Sequence, residues 1–362
     1  MSRIYNFSAG PAILPLEVLE QAQAELVDFC NSGMSIMEMS HRGKEYDAIH
    51  SEAVANLKEL MQLNDNFDIL LLQGGASLQF AMIPMNFLGA DLAADYVNSG
   101  VWGSSAIKQA RIIGKVNVVA DTEKDVPTRL PDAAELHLND NAAYLHITTN
   151  ETISGAQWKH LPQNITASDV PLVADMSSDI LSRPIDANCF SLIYAGAQKN
   201  LGPSGVTVVA LRKDFAERES KNLPSMLRYS THADTNSLYN TPPCYSIYIL
   251  TLVTRWLKNF GLEKMFHQNV AKAAMLYNQI DSSGFYRGTA VKEYRSDMNV
   301  TFRLPTEELE TDFIADAAKL GLKGIKGHRS VGGIRASIYN AFPVKGVETL
   351  VAFMAEFERR HG

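Results

Sequence analysis

The chain has 362 residues, 46% hydrophobic and 20% charged, enough for one large domain with a smaller companion or two of similar size. Its 33 Lys and Arg against 40 Asp and Glu leave a net charge of −7, which argues against general nucleic-acid binding but allows a small basic pocket for an anionic metabolite. Cys30, Cys189 and Cys244 form no CxxC pair or disulfide framework, the N-terminus shows no secretory pattern and no apolar run approaches ~20 residues, so a reduced, soluble, cytoplasmic protein is expected.

In chain order, two helical patterns come first: LPLEVLEQAQAELVDFC (14–30) and KEYDAIHSEAVANLKELMQL (44–63). Seven short runs follow: FDILLLQ, AADYVNS, KVNVVA, AAYLHITT, VPLVADM, FSLIYAG and GVTVVALR. Most are apolar throughout, rich in β-branched residues and bounded by Gly, Asn, Asp or Pro. Strands buried on both faces read this way, and with helices between them they predict an α/β fold around a mostly parallel seven-stranded sheet. Beyond about residue 255 the texture changes. The helical NVAKAAMLYNQI precedes the alternating segments MNVTFRL and GGIRASIYNA, a pattern of half-buried strands. A large domain over 16–255 and a smaller α+β domain over 256–362, joined by residues 1–15, is the expected division.

In an open α/β sheet, ligands bind beyond the carboxyl ends of the strands. Gly74 and Gly75, then Ala76 and Ser77, follow the first run and open a helix, making either an anion cup or a tight turn. Trp102 opens another helix, as core or as a stacking face. Thr152 follows the fourth run, where turn chemistry alone could explain it. Asp175 ends the fifth run as a helix cap or as the partner of a buried cation. Lys199 stands in AGAQKNLGPSG, where two buried strands meet. Each feature separately favours the structural alternative. Together they are the parts pyridoxal phosphate needs: an anion cup, an aromatic face, a carboxylate and an amine. No His, Cys and Asp cluster has metal-ligand spacing.

Five motifs carry a resemblance: NFSAGPAILP, MEMSHRGKEY, YAGAQKNLGPSG, NTPP and KGHRSVGGIRASIYNA. With them the chain resembles, nearly end to end, the phosphoserine aminotransferase family of the class V aminotransferases. That resemblance implies a fold-type I pyridoxal phosphate enzyme that works as a homodimer with shared active sites. The implied reaction is reversible amino transfer between L-glutamate and 3-phosphohydroxypyruvate, giving 2-oxoglutarate and O-phospho-L-serine in serine biosynthesis. Whether 4-phosphohydroxy-L-threonine of pyridoxine biosynthesis is a second substrate stays open.

Residue by residue, the resemblance makes Lys199 the lysine that bonds the cofactor and Asp175 the partner of its ring nitrogen. It makes Trp102 the stacking face and Thr152 the partner of the phenolic oxygen. Ala76, Ser77 and Gln198 serve the phosphate, joined by Asn240 and Thr241 from the other subunit. Arg335 reads the α-carboxylate. The pairs His41 with Arg42, from the partner chain, and His328 with Arg329 read the distal phosphate or γ-carboxylate; without the resemblance they read as surface charges. Some members have an arginine where this chain has Ser77 and a serine where it has Ala9, so the contacts of that arginine and serine are not carried over. Two rivals remain. A cysteine desulfurase of the same fold type needs a mobile thiolate, which neither Cys189 nor Cys244 suits. A simple anion binder would use the cup and arginines without a covalent lysine.

Overall fold

The computed structural model describes residues 3–362. The longer helices are α1 (Lys44–Leu60), α2 (Gly75–Phe87), α3 (Val101–Ile113), α4 (Cys244–Phe260), α5 (Leu262–Asp281), α6 (Glu307–Lys319) and α7 (Val344–His361). In α1, Tyr46, Ile49, Ala53, Leu57 and Leu60 are buried along one stripe, which packs against α4. Glu45 and Asp47 in its first turn and Lys58 in its last complement the helix dipole. The first helical pattern is cut short. Its helix ends at Ala24, and a separate single turn, Phe29–Asn31, has Cys30 and Asn31 at positive φ. Leu26 and Val27 are exposed there, so no buried stripe sustains the missing turns.

The seven apolar runs form one sheet from β1 (Phe67–Leu72), β2 (Ala93–Asn98), β3 (Lys115–Asp121), β4 (Leu145–Thr148), β5 (Leu172–Asp175), β6 (Leu192–Gly196) and β7 (Thr207–Arg212). Their spatial order is β1-β7-β6-β5-β4-β2-β3. Only β7 runs antiparallel, against both β1 and β6; the other pairings are parallel. The carboxyl ends of β1 to β6 therefore share one edge. Alternation assigns the two faces: Ile69, Leu71, Ile193, Ala195, Val208 and Ala210 pack into one core. Leu70, Leu72, Leu192, Tyr194, Val209 and Leu211 pack into the opposite one.

A separate core forms around β8 (Arg287–Gly288), β9 (Asn299–Arg303) and β10 (Ile334–Ser337), paired antiparallel in that order. Phe302 and Phe313 meet edge-to-face at 6.0 Å, and Phe313 also touches Phe353 and Phe357. Truncating so central a ring to alanine costs about 3–5 kcal/mol. The N-terminal segment joins this core: Tyr5–Asn6 pairs parallel with Leu322–Lys323, and Phe7 packs against Phe342 with the rings tilted and their centroids 4.3 Å apart.

Polar clamps hold this unit to the sheet. Asn340 N donates to Asn200 Oδ1 at 3.0 Å and Asn340 Nδ2 to Leu181 O at 2.8 Å. Within the smaller unit, buried Lys272 of α5 braces the same loop, donating to the carbonyls of Ile338 (2.9 Å), Tyr339 (2.7 Å) and Phe342 (3.2 Å). These contacts fix the loop after β10 beside the segment that carries Lys199. Among the described residues no helix is long and apolar enough to cross a membrane.

Candidate active site

The edge where β1 to β6 end opens into a cleft of about 480 Å³. Six of the predicted residues reach it from strand ends or from the helices that follow: Ala76, Ser77, Trp102, Thr152, Asp175 and Lys199. Gln198 lines it beside Lys199, and the smaller unit contributes His328 and Arg335. Ala9, at the departure noted above, lines it too, and its carbonyl accepts a hydrogen bond from Tyr339 OH at 2.7 Å.

The turn after β1 needs glycine. Gly74 has φ +91°, and a Cβ there would lie 2.5 Å from the Leu78 side chain. No side chain caps α2, so its positive end and the first-turn amides stand beside the cleft. Trp102 sits in the first turn of α3, its ring centroid 5.5 Å from Lys199 Nζ. The indole Nε1 is buried without a partner.

Lys199 follows β6 in the connection to antiparallel β7, and its Nζ donates to Thr152 Oγ1 at 2.8 Å. Burial lowers its pKa; Asp175 and Glu151 oppose the shift, and Arg335 adds to it. Asp175 is the last residue of β5, and its Oδ1 accepts from Ser177 N at 2.8 Å. Burial raises its pKa, while Lys199, Ser177 and Tyr194 pull it down. Beneath it, Tyr194 OH lies 2.9 Å from His146 Nε2, and burial keeps that imidazole neutral, its pKa down at about 3. Arg335, on β10, donates from Nη1 to Thr152 O at a long 3.4 Å and keeps Nε buried and unpartnered. Burial lowers its pKa, Tyr339 opposing.

Five predicted residues do not line this cleft. Arg42, Thr241 and Arg329 are exposed, and His41 is partly buried with Nε2 unpartnered. Asn240 Nδ2 donates to Gln73 Oε1 at 3.1 Å, next to the glycine turn, and its Oδ1 is unpartnered. Sequence reasoning passed over Glu151, Ser177 and Tyr194. Tyr194 read as one more apolar position of its strand, whereas Glu151, a charged residue directly before Thr152, was a visible signal.

Burial raises the thiol pKa of Cys189, to about 11, and that of Cys244 as well, so neither is poised as a thiolate nucleophile. Among the described residues no group of three His, Cys, Asp or Glu is placed to hold a metal ion.

The family model of class-V aminotransferases matches residues 4–350. A relative from Herpetosiphon aurantiacus named phosphoserine aminotransferase is 56% identical, over 99% of this chain and 99% of its own. The solved structure of phosphoserine aminotransferase from Bacillus circulans subsp. alkalophilus matches with a TM-score of 0.97 and 56% identity, over 99% of each chain. The phosphoserine aminotransferase of Trichomonas vaginalis, described as PLP-bound, matches with a TM-score of 0.93 and 40% identity, over 98% of this chain and 100% of that one.

Proposed function

We propose, since this chain belongs to the class-V aminotransferases and is a pyridoxal-phosphate-dependent enzyme, that it moves an amino group reversibly between L-glutamate and 3-phosphohydroxypyruvate. The products are 2-oxoglutarate and O-phospho-L-serine, a step of serine biosynthesis, and in this reading the enzyme works in the cytoplasm. In this reading residues 16–255 form the cofactor-holding domain, and 1–15 with 256–362 form the smaller one. The observation that carries it is the convergence of a pKa-lowered amine, a buried carboxylate and an uncapped helix N-terminus in one cleft.

The donor set suits the cofactor. The positive end of α2, with Ala76, Ser77 and Gln198, suits a phosphate dianion. The Trp102 face suits an aromatic ring, Thr152 a phenolic oxygen, and Asp175 a protonated pyridine nitrogen. Asp175 already stands near one cation, Lys199, and a cationic ring nitrogen would repay its burial in the same way. Lys199 would bond the aldehyde carbon. When bound, pyridoxal phosphate supplies the electron sink that makes the substrate α-carbon acidic.

This chain's residues do the rest. The lowered pKa of Lys199 leaves more of its amine neutral, the form whose lone pair can take and hold the substrate α-proton. Thr152 Oγ1 anchors that amine. Arg335 holds the substrate α-carboxylate through its free donor edge, which fixes the α-carbon in front of Lys199. His328 and Arg329 meet the distal phosphate, or the γ-carboxylate of glutamate. The exposed or unpartnered His41, Arg42, Asn240 and Thr241 suit a role across a homodimer interface, where they would complete the partner's site.

The deciding measurement is a coupled assay of the purified protein with glutamate and 3-phosphohydroxypyruvate. Turnover with that pair, well above turnover with glutamate and pyruvate, supports the reading. Equal rates with pyruvate would remove the phosphate from the assignment. Adding 4-phosphohydroxy-L-threonine with 2-oxoglutarate tests whether the pyridoxine-pathway compound is a second substrate.

A further inference from the structure

Glu151 has no part in the reaction just described, yet it is fully buried beside it. It lies in a two-residue strand, Asn150–Glu151, hairpinned to Ala156–Gln157, directly before Thr152. Its Oε1 accepts from Ser99 Oγ at 3.1 Å, and its Oε2 has no hydrogen bond of normal geometry, although the amides of Trp102 and Gly103 lie close enough to act on the carboxyl. The carboxyl abuts the start of α3: a Cβ on Gly100 would lie 2.5 Å from Glu151 Cδ. Gly100 precedes the helix and has no side chain to cap it. The positive end of α3 therefore meets a carboxyl from another strand end, and Trp102 stands in that same first turn.

Burial raises the pKa of Glu151 to about 7, Asp175 adding to the rise, while Ser99 and the amides of Trp102 and Gly103 oppose it. The value lies above the ordinary ~4.3 of a glutamate, so the folded chain keeps a proton that the unfolded chain releases between the two. The stability linked to that proton is full below pH ~4.3 and is lost as pH rises to about 7. Ionised Glu151 therefore weighs against the fold as a whole, whereas the first-turn amides of Trp102 and Gly103 favour the carboxylate, so within the folded chain ionisation favours the closed turn.

We propose that Glu151 is a positioning residue for Trp102: its carboxylate caps α3 from the neighbouring strand end and holds the first turn, with its indole, against Lys199. The charged groups around it are Asp175 at the end of β5, Asp179 beyond it, Lys199 after β6 and Arg335 on β10. At the end of β2, Asp121 and Glu123 accept hydrogen bonds from Asn98 Nδ2. The consequence for catalysis rests on the roles proposed above for Trp102 and Lys199; the capping itself does not.

The test reads Trp102 directly. Trp158→Phe and Trp256→Phe leave it the sole indole of the chain's three. In the full-length chain freed of cofactor, acrylamide quenching is followed from about pH 5.5 to about pH 8.5, with and without Glu151→Gln. With Glu151 present, quenching should fall as pH rises and the carboxylate forms. With Gln it should stay at the acid-side level, leaving the turn roughly fivefold more open at the alkaline end, the usual worth of a helix cap. The thermal midpoint of the Gln variant at the alkaline end should be unchanged or raised, whereas loss of a merely structural residue would lower it.

Quenching that tracks the Glu151 chain across the whole range overturns the proposal, as does a midpoint drop large enough to explain the added mobility. If the Gln variant does not fold, Ser99→Ala removes the Oε1 donor and should raise Trp102 quenching by a smaller factor; no rise overturns the proposal as well. Transamination is not measured, so failure here and failure of the proposed reaction are separate results.

Discussion

Arg335→Met should separate function from stability. The guanidinium makes one weak bond, from Nη1 to Thr152 O at 3.4 Å, and its Nε is buried with no partner. Burial lowers its pKa, so the surrounding protein does not fully compensate the charge. A free donor edge of this kind grips a carboxylate with two parallel charge-assisted bonds. At ~1.5–3 kcal/mol for each, losing both costs ~3–6 kcal/mol, or about two to four decades in kcat/KM. Glutamate, 3-phosphohydroxypyruvate and alanine all carry an α-carboxylate, so the three losses should be alike. Stability should move the other way, because methionine replaces an incompletely paired charge with an apolar chain of similar length. Initial rates with each substrate and a calorimetric midpoint, taken on one preparation, check both arms. A kcat/KM within about threefold of the unmodified enzyme, less than one hydrogen bond's worth, would refute the reasoning. So would a loss confined to glutamate.

Asp175→Asn should bind cofactor yet transaminate poorly. In the cofactor-free chain it should also move the Lys199 pKa further down, since the Asp175 charge now holds it up; the pH dependence of Lys199 acylation, read by peptide mass spectrometry, checks this, and an unchanged profile contradicts it. Lys272→Met should destabilise by about 3–5 kcal/mol, because three buried carbonyls lose their shared donor; denaturant unfolding measures it, and a loss below about 1 kcal/mol would show that the loop after β10 finds other partners. Arg42→Ala and Lys199→Ala subunits, each inactive toward the phosphorylated substrate, should regain up to about half of full activity when mixed into heterodimers, by counting intact sites. Verified heterodimers without activity would mean that Arg42 serves its own chain's lysine.

Six of the seven strands were legible because burial on both faces leaves little room for polar residues, whereas the edge strand β3, with Lys115, Asn117 and Asp121 exposed, stood out by its β-branched residues. Asp175 and Lys199 stood out as ionisable residues at the ends of short buried runs, but each separately favoured a structural alternative and only their combination with the glycine turn and Trp102 pointed to a site. Local sequence was a weaker guide where burial comes from elsewhere. The 14–30 pattern predicts a longer helix than forms, because Leu26 and Val27 meet no second surface. Arg335 alternates visibly on its strand, but only the pairing of β10 with β9 and the clamp through Asn340 carry it to Thr152. Glu151 shows the limit most clearly. Its raised pKa and its place at the start of α3 depend on Ser99, Gly100 and Asp175, brought together from two other strand ends. Composition and periodicity record what each segment needs to bury; which charges then face one another is a property of the assembled sheet, where desolvation and distance set their energies.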